Sequence, residues 1–178
     1  MSVFFTSDTH FQHQKILEYC NRPFKNIAEH DETLISNWNS RVKRGDTVYH
    51  LGDFGFGEYV NIFNRLNGKI LLILGSHDDN IFDNSNYGAQ QEMCSNKTMW
   101  EFKQKDIRIT LCHYALRVWP ASHYNSFHLF GHSHNHLPPF GKSFDVGVDG
   151  HNFYPWSLDE VLEKMDTLPN NFNLIKER

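Results

Sequence analysis

The sequence predicts an α/β fold of two mixed β-sheets packed face to face and flanked by helices. Three features carry that expectation. Strand-like and helix-like segments alternate from Val3 to Leu74, the order of a layered sheet with parallel strands at its centre. The run from Ile70 to Leu74 is apolar at every position, as in a strand covered on both faces. From Met99 onward the strands are short and lack intervening helices, which implies a second, more antiparallel sheet. The 178 residues suffice for a core without disulfides and predict one domain over 1–178.

Each element has a local reason. Val3-Phe4-Phe5-Thr6-Ser7 is rich in β-formers and reads as a buried strand. Ile16, Leu17, Tyr19 and Cys20 indicate a short helix closed by Asn21-Arg22-Pro23. A longer helix follows, with Asp31 as its cap, Leu34, Ile35, Trp38 and Val42 on one face, and Gly45 at its end. Thr47 to Leu51 is the second strand, and Tyr59, Ile62, Phe63 and Leu66 form a third helix ended by Asn67-Gly68. Residues 83–96, rich in Asn, Ser and Gln, read as a loop. Met99 to Phe102 and Ile107 to Leu111 flank a polar turn and form a hairpin. Phe127 to Phe130 and Phe144 to Val148 are further strands. Ser157 and Glu160 form a capping box ahead of a last helix lined by Leu158, Val161, Leu162 and Met165.

Composition excludes several classes. A net charge of −4 argues against a long nucleic acid as partner, because phosphate neutralisation needs a basic surface, but it leaves a small phosphorylated substrate open. No apolar run approaches the ~18 residues of a membrane span. The N-terminal segment has no basic region ahead of an apolar stretch, so no signal peptide is expected. Cys20, Cys94 and Cys112 are odd in number and widely spaced, which points to free thiols used as small core residues in a reducing, cytoplasmic setting. Aromatic content leaves room for either a monomer or a homodimer.

Twelve histidines are the anomaly, and several follow strands beside glycines and aspartates. Strand one runs into Asp8-Thr9-His10, strand two into Gly52-Asp53, and strand three into Gly75-Ser76-His77-Asp78. The strand from Ile107 runs into Cys112-His113, and the strand from Phe127 into Gly131-His132-Ser133-His134. Ligands bind at the carboxyl ends of strands in open α/β sheets, so five such clusters converge on one rim if their strands are neighbours. Asp8 and His10, and likewise His132 and His134, are two residues apart and can point the same way from extended backbone. Glycines beside them allow sharp turns and close approach to an ion.

In this order the clusters resemble the calcineurin-like metallophosphoesterase superfamily, whose signature is D-x-H, G-D-x-x-[RND], G-N-H-[DE], an isolated His and G-H-x-H. The resemblance implies two divalent ions sharing one carboxylate. One ion is implied on Asp8, His10, Asp53 and His134, the other on Asp53, Ser76, His113 and His132, with Asp53 as the bridge. It places His77 near the leaving group, oriented by Asp78 or another carboxylate. The implied activity is a binuclear metal-dependent phosphohydrolase acting on small phosphoesters, with a nucleotide as one candidate substrate. The compact length, which leaves little room for a lid, slightly favours phosphodiesters. Two ions about 3.5–4 Å apart clamp a phosphoryl oxygen and activate a bridging water, whose hydroxide attacks phosphorus in line. The His/Asp donor set without Cys favours manganese, with iron, zinc or nickel as alternatives.

Two positions depart from the pattern. Ser76 stands where the family has Asn, and a hydroxyl is a shorter and poorer ligand than an amide oxygen. Three explanations compete: Ser76 coordinates through a water, the second metal binds weakly, or the residue is an introduced substitution. A weakened second site is the preferred one, and it motivates an alternative reading as a degenerate phosphoesterase-fold module that binds phosphate or a partner. Phe54-Gly55-Phe56-Gly57 carries no polar residue at the x-x-[RND] position, so Phe54 and Phe56 either wall an apolar side of the pocket or simply pack. Arg22 and Arg117 are candidates for gripping phosphate bidentately. Trp119 and Tyr124 are candidates for stacking a base or for the core. His50 reads as a core or supporting histidine, and His136 and His151 as solvent-exposed or supporting. Asp145 and Asp149 are placed to accept an N–H from a metal-bound histidine.

Overall fold

A computed structural model describes residues 1–57, 59–78 and 98–171. The first sheet has the order β3-β2-β1-β8, from β1 (Val3–Thr6), β2 (Thr47–His50), β3 (Lys69–Leu72) and β8 (Trp156–Ser157). The second has the order β4-β5-β6-β7, from β4 (Met99–Gln104), β5 (Ile107–Cys112), β6 (Phe127–Phe130) and β7 (Ser143–Asp145). Among the described residues four α-helices accompany them: α1 (Ile16–Tyr19), α2 (Ile27–Arg41), α3 (Tyr59–Phe63) and α4 (Leu158–Asp166). The α/β class and the two mixed sheets are those expected, and each sheet has four strands. The loop expected at 83–96 and Cys94 lie outside the described residues.

Alternation of side chains along β1 sets the layers. Phe4 packs with Leu34, Ile35 and Trp38 of α2 and with Ile62 and Phe63 of α3. Its neighbour Phe5 turns the other way, onto Ile109, Leu111, Phe127, Leu129 and Phe144 of the second sheet. The same second core takes Val161 and Met165 of α4. The Ser157 capping box is formed, its hydroxyl accepting from Glu160 N while Glu160 accepts from Ser157 N.

Three local expectations are corrected. Helix α2 starts four residues before Asp31, and Asn26 caps it by accepting from Glu29 N. Asp31 sits inside the helix, where its carboxylate accepts from His30 Nδ1 and Gln12 N. The second sheet is mainly parallel: only β4 and β5 pair antiparallel, while β5-β6 and β6-β7 are parallel. The turn between β4 and β5 is a two-residue one, with Lys105 and Asp106 at φ 48° and 64°, the left-handed pair that matches strand twist. The strand expected through Val148 ends at Asp145, and Val148–Gly150 forms a 3-10 turn.

His128, in the middle of β6, is fully buried. Its Nε2 accepts from Leu116 N, so Nδ1 donates to Thr110 O. Burial holds this imidazole down to about 4. The unfolded chain therefore binds a proton that the folded chain refuses, and stability falls as pH drops through the window from 6.5 to about 4. Between pH 7 and pH 5 this one group accounts for about 2 kcal/mol. Urea unfolding at both pH values is expected to show His128→Gln less acid-sensitive than the parent by about that amount. Equal pH slopes would refute the assignment.

Candidate metal centre

The rim above β1, β2, β3, β5 and β6 holds the polar clusters. Asp8 N donates to Gly52 O, and His10 N to Asp53 O, so the segment after β1 lies along the segment after β2. Gly131 N donates to His113 O, and a Ser7–Gly147 bridge ties the two sheets together at the same rim. Packing there leaves no room for a Cβ at Gly75, which would overlap Asp53, or at Gly131, which would overlap Ser7 and Asp8. Five of the candidate ligands are held in the left-handed backbone region: Asp8 at φ 56°, His10 at 48°, Asp53 at 54°, His132 at 65° and His134 at 46°. Few non-glycine residues adopt it, and such strain collects at functional sites.

The side chains form two groups whose donor atoms lie within 4.8 Å of one another: Asp8, His10 and His134, and Asp53, His113 and His132. The groups meet at one oxygen. Asp53 Oδ2 stands 3.7 Å from His10 Nε2 on one side and 3.4 Å from His113 Nε2 on the other. Asp8 Oδ1, His10 Nε2 and His113 Nε2 are buried and have no hydrogen-bond partner. Leaving such groups unsatisfied costs about 1–3 kcal/mol each, so their convergence fits a cation. An acceptor set of carboxylates and imidazoles suits a divalent transition ion.

The surroundings aim these atoms. His113 Nδ1 donates to Leu51 O at 2.8 Å, which leaves Nε2 free to face Asp53. Asp8 Oδ2 accepts from His132 N, which turns Oδ1 inward. His134 Nδ1 donates to Asp149 Oδ2 at 2.8 Å, the arrangement of a carboxylate behind a metal-facing histidine. Burial raises the Asp8 carboxyl to about 7, although His113 and His134 pull it down. Asp53 is also pushed up by burial, but His113 and His10 outweigh this and hold it below the usual carboxylate range. Burial disfavours the charge on His134, yet Asp149, Cys20 and Asp8 carry it up to about 10. Burial also disfavours the charge on His113, yet Asp53 and Asp8 raise it, whereas burial lowers His10 and His132. A cation would compete with a proton at His134 and His113 and meet imidazoles already disposed to be neutral at His10 and His132.

Two expected roles are corrected. Arg22 does not face a substrate. It is buried, and all five guanidinium N–H donors are taken. Nε and Nη2 grip both oxygens of Asp149, Nη2 also donates to Asp8 O, and Nη1 donates to Thr9 O and His30 Nε2. Asp78 does not orient His77. Its fully buried carboxylate accepts from the backbone N–H groups of Asp53, Phe54 and Gly75, so it pins the Asp53 turn to the turn after β3.

The other candidates fall as follows. Ser76 is exposed, and its hydroxyl donates to Asp53 at 3.1 and 3.2 Å. His77 is exposed, its ring 5.9 Å from that of His10 and its backbone N–H donating to Asp53 Oδ1. Arg117 is exposed in the segment after His113. Trp119 is buried and donates to Ser126 O, whereas Tyr124 is exposed. His50 accepts from Gly52 N and donates to Thr9 Oγ1, bracing the D-x-H segment. His151 stacks on Trp156, and His136 is exposed. Of the two carboxylates proposed behind the histidines, Asp149 takes the role, while Asp145 accepts from Ser133 Oγ, Asn135 N and Gly147 N. Sequence reasoning missed the buried chain from Asp149 through Arg22 and His30 to Asp31, and it missed Cys20, whose sulfur lies beside His134 and Asp149. The adjacent His30-Asp31 pair on one helix was the available signal.

No helix among the described residues is long and apolar enough to cross a membrane. The chain is 33% identical over 176 residues to the uncharacterized protein MJ1445 of Methanocaldococcus jannaschii, covering 92% of this chain and 91% of that one. It is 37% identical over 83 residues to the Gene 66 protein of Mycobacterium phage L5, over 43% of this chain and 40% of the phage protein. Its fold is similar to that of AQ665 from Aquifex aeolicus, a protein of unknown function, with a TM-score of 0.70 at 24% identity over 92% of this chain and 98% of that one. Residues 1–138, which carry every one of the rim clusters, match the calcineurin-like phosphoesterase superfamily domain, and the chain belongs to that superfamily.

Proposed function

We propose that the protein is a binuclear metal-dependent phosphohydrolase for small phosphoesters, with phosphodiesters slightly preferred. One observation carries this reading: two three-residue ligand groups meet at a single oxygen of Asp53, between His10 and His113. Asp8, His10, Asp53 and His134 would hold one ion, and Asp53, His113 and His132, with a weak contribution from Ser76, the other. When bound, the ions supply activation of a water and neutralisation of phosphoryl charge. The chain's own residues orient and position. Leu51 O fixes the tautomer of His113, Asp149 that of His134, and the His77 N–H steadies Asp53. His77, exposed beside His10, is placed to hand a proton to the leaving oxygen or to hold a phosphoryl oxygen. Manganese is the first choice of ion, ahead of iron, zinc and nickel.

The weakened second site has support in the Ser76 hydroxyl, which spends its hydrogen on Asp53. The test is hydrolysis of an aryl phosphodiester with Mn²⁺ and with chelator, run beside Ser76→Asn. Metal-dependent turnover is expected in both forms. The Asn variant should gain about ten-fold in metal affinity or turnover, the scale on which one metal-site partner acts. Equal titrations and equal rates would refute the weakened site. Silence in both forms with metal bound would favour a phosphate- or partner-binding module.

A further inference from the structure

The side of the centre next to His77 is aromatic, and of its rings His13 is tied to a candidate ligand by a 3.4 Å hydrogen bond between His13 Nδ1 and His10 Nδ1. Phe56, half-buried, follows the Asp53 turn, and its ring lies 6.4 Å from that of His10 and 5.4 Å from that of His77. His13 closes on the Phe56 ring at 4.3 Å. Tyr19, 68% exposed at the end of α1, meets His13 edge-on at 6.2 Å. The Phe56 backbone is fixed: its N donates to Phe11 O, and a Cβ at Gly55 would collide with Phe11. Of the two cationic side chains that act on His13, Arg22 has every donor engaged, and Lys15 is exposed.

We infer that Phe56, His13 and Tyr19 form a subsite for a planar aryl ring esterified directly to the phosphoryl group at the metal centre. The inference rests on the phosphohydrolase reading and adds the substrate class. Phe56 touches both His10, which faces the ions, and His77, on the leaving-group side, so a ring attached directly to the phosphoryl group reaches it without a spacer. An aromatic wall with part of its surface in solvent favours planar groups by stacking, whereas an alkyl ester gains only contact area.

The test compares phenylphosphonate with methylphosphonate by calorimetry on the Mn²⁺-loaded protein. These compounds share the phosphonyl group and differ in the ring. The parent is expected to bind the phenyl compound about ten-fold tighter, which corresponds to about 1.4 kcal/mol. Phe56→Ala should bring that preference close to one. Phe56→Leu, which keeps apolar bulk if the Ala variant fails to fold, should cut it to about three-fold, in line with loss of stacking alone. Phe56→Trp should keep it. Equal binding of the two phosphonates by the parent, or an undiminished preference in Phe56→Ala and Phe56→Leu, would overturn the subsite and leave the phosphohydrolase reading intact. Binding of Mn²⁺ but of neither phosphonate would overturn both.

Discussion

Asp53→Asn is expected to abolish two-ion binding and to lower phosphodiester turnover by about 10³-fold or more, roughly 4 kcal/mol of barrier. The magnitude follows from position. Asp53 Oδ2 lies between His10 Nε2 of one group and His113 Nε2 of the other, the position that the proposed bridge requires. An amide keeps the volume, but it has one carbonyl oxygen and no charge. It also puts an N–H₂ either toward the ions or toward the His77 N–H and the Ser76 hydroxyl, which now donate to the carboxylate. Both orientations are wrong for two cations. His132→Ala is the comparison. His132 is exposed and belongs to one group, so its loss should weaken one binding step by about 10–100-fold and leave the other. Calorimetric stoichiometry separates the cases: no two-ion state for Asp53→Asn, one unchanged step for His132→Ala. Two intact steps in Asp53→Asn would remove Asp53 from the bridging role.

The clustering of the candidate ligands was legible in the sequence because its signals are local. Asp8, Asp53, His113 and His132 each follow a strand that its own composition reveals, and the parallel pairing of β1, β2 and β3 brings their ends together. What the sequence concealed depends on distance or on competition between equivalent signals. Arg22 looks like a substrate group because its partner Asp149 is 127 residues away, and nothing local marks the pair. Asn26 and Asp31 are both good caps. The helix takes the earlier one, which leaves Asp31 inside it as an acceptor for His30 and Gln12. The parallel pairing of β5 with β6 was missed because the chain between them, 113–126, contains no helix, and a crossover helix is the usual sign of parallel strands. β8, two residues long, is shorter than any periodicity can reveal.

Arg22→Gln is expected to weaken the ion held by Asp8, His10 and His134 by about 10–100-fold and to cost about 3–5 kcal/mol of stability. The guanidinium is fully buried and closes a ring of contacts: Asp149 behind His134, the carbonyls of Asp8 and Thr9, and His30. Removing it leaves the Asp149 carboxylate mostly buried without its cation, and frees the D-x-H backbone that places two ligands in the left-handed region. Burial pushes Asp149 up, and His134 and Arg22 together reverse that to about 2. Without Arg22 the carboxylate rises, and the acceptor behind His134 loses the guanidinium that holds it in place. Arg22→Lys should recover part of the stability but little of the ion affinity, because an ammonium cannot serve Asp149 bidentately and both carbonyls at once. A substrate-gripping arginine would behave in the opposite way: phosphonate affinity would fall while both metal-binding steps stayed as they were. Titrating metal first and phosphonate second in the same variant therefore decides between a residue that builds the centre and one that holds its substrate.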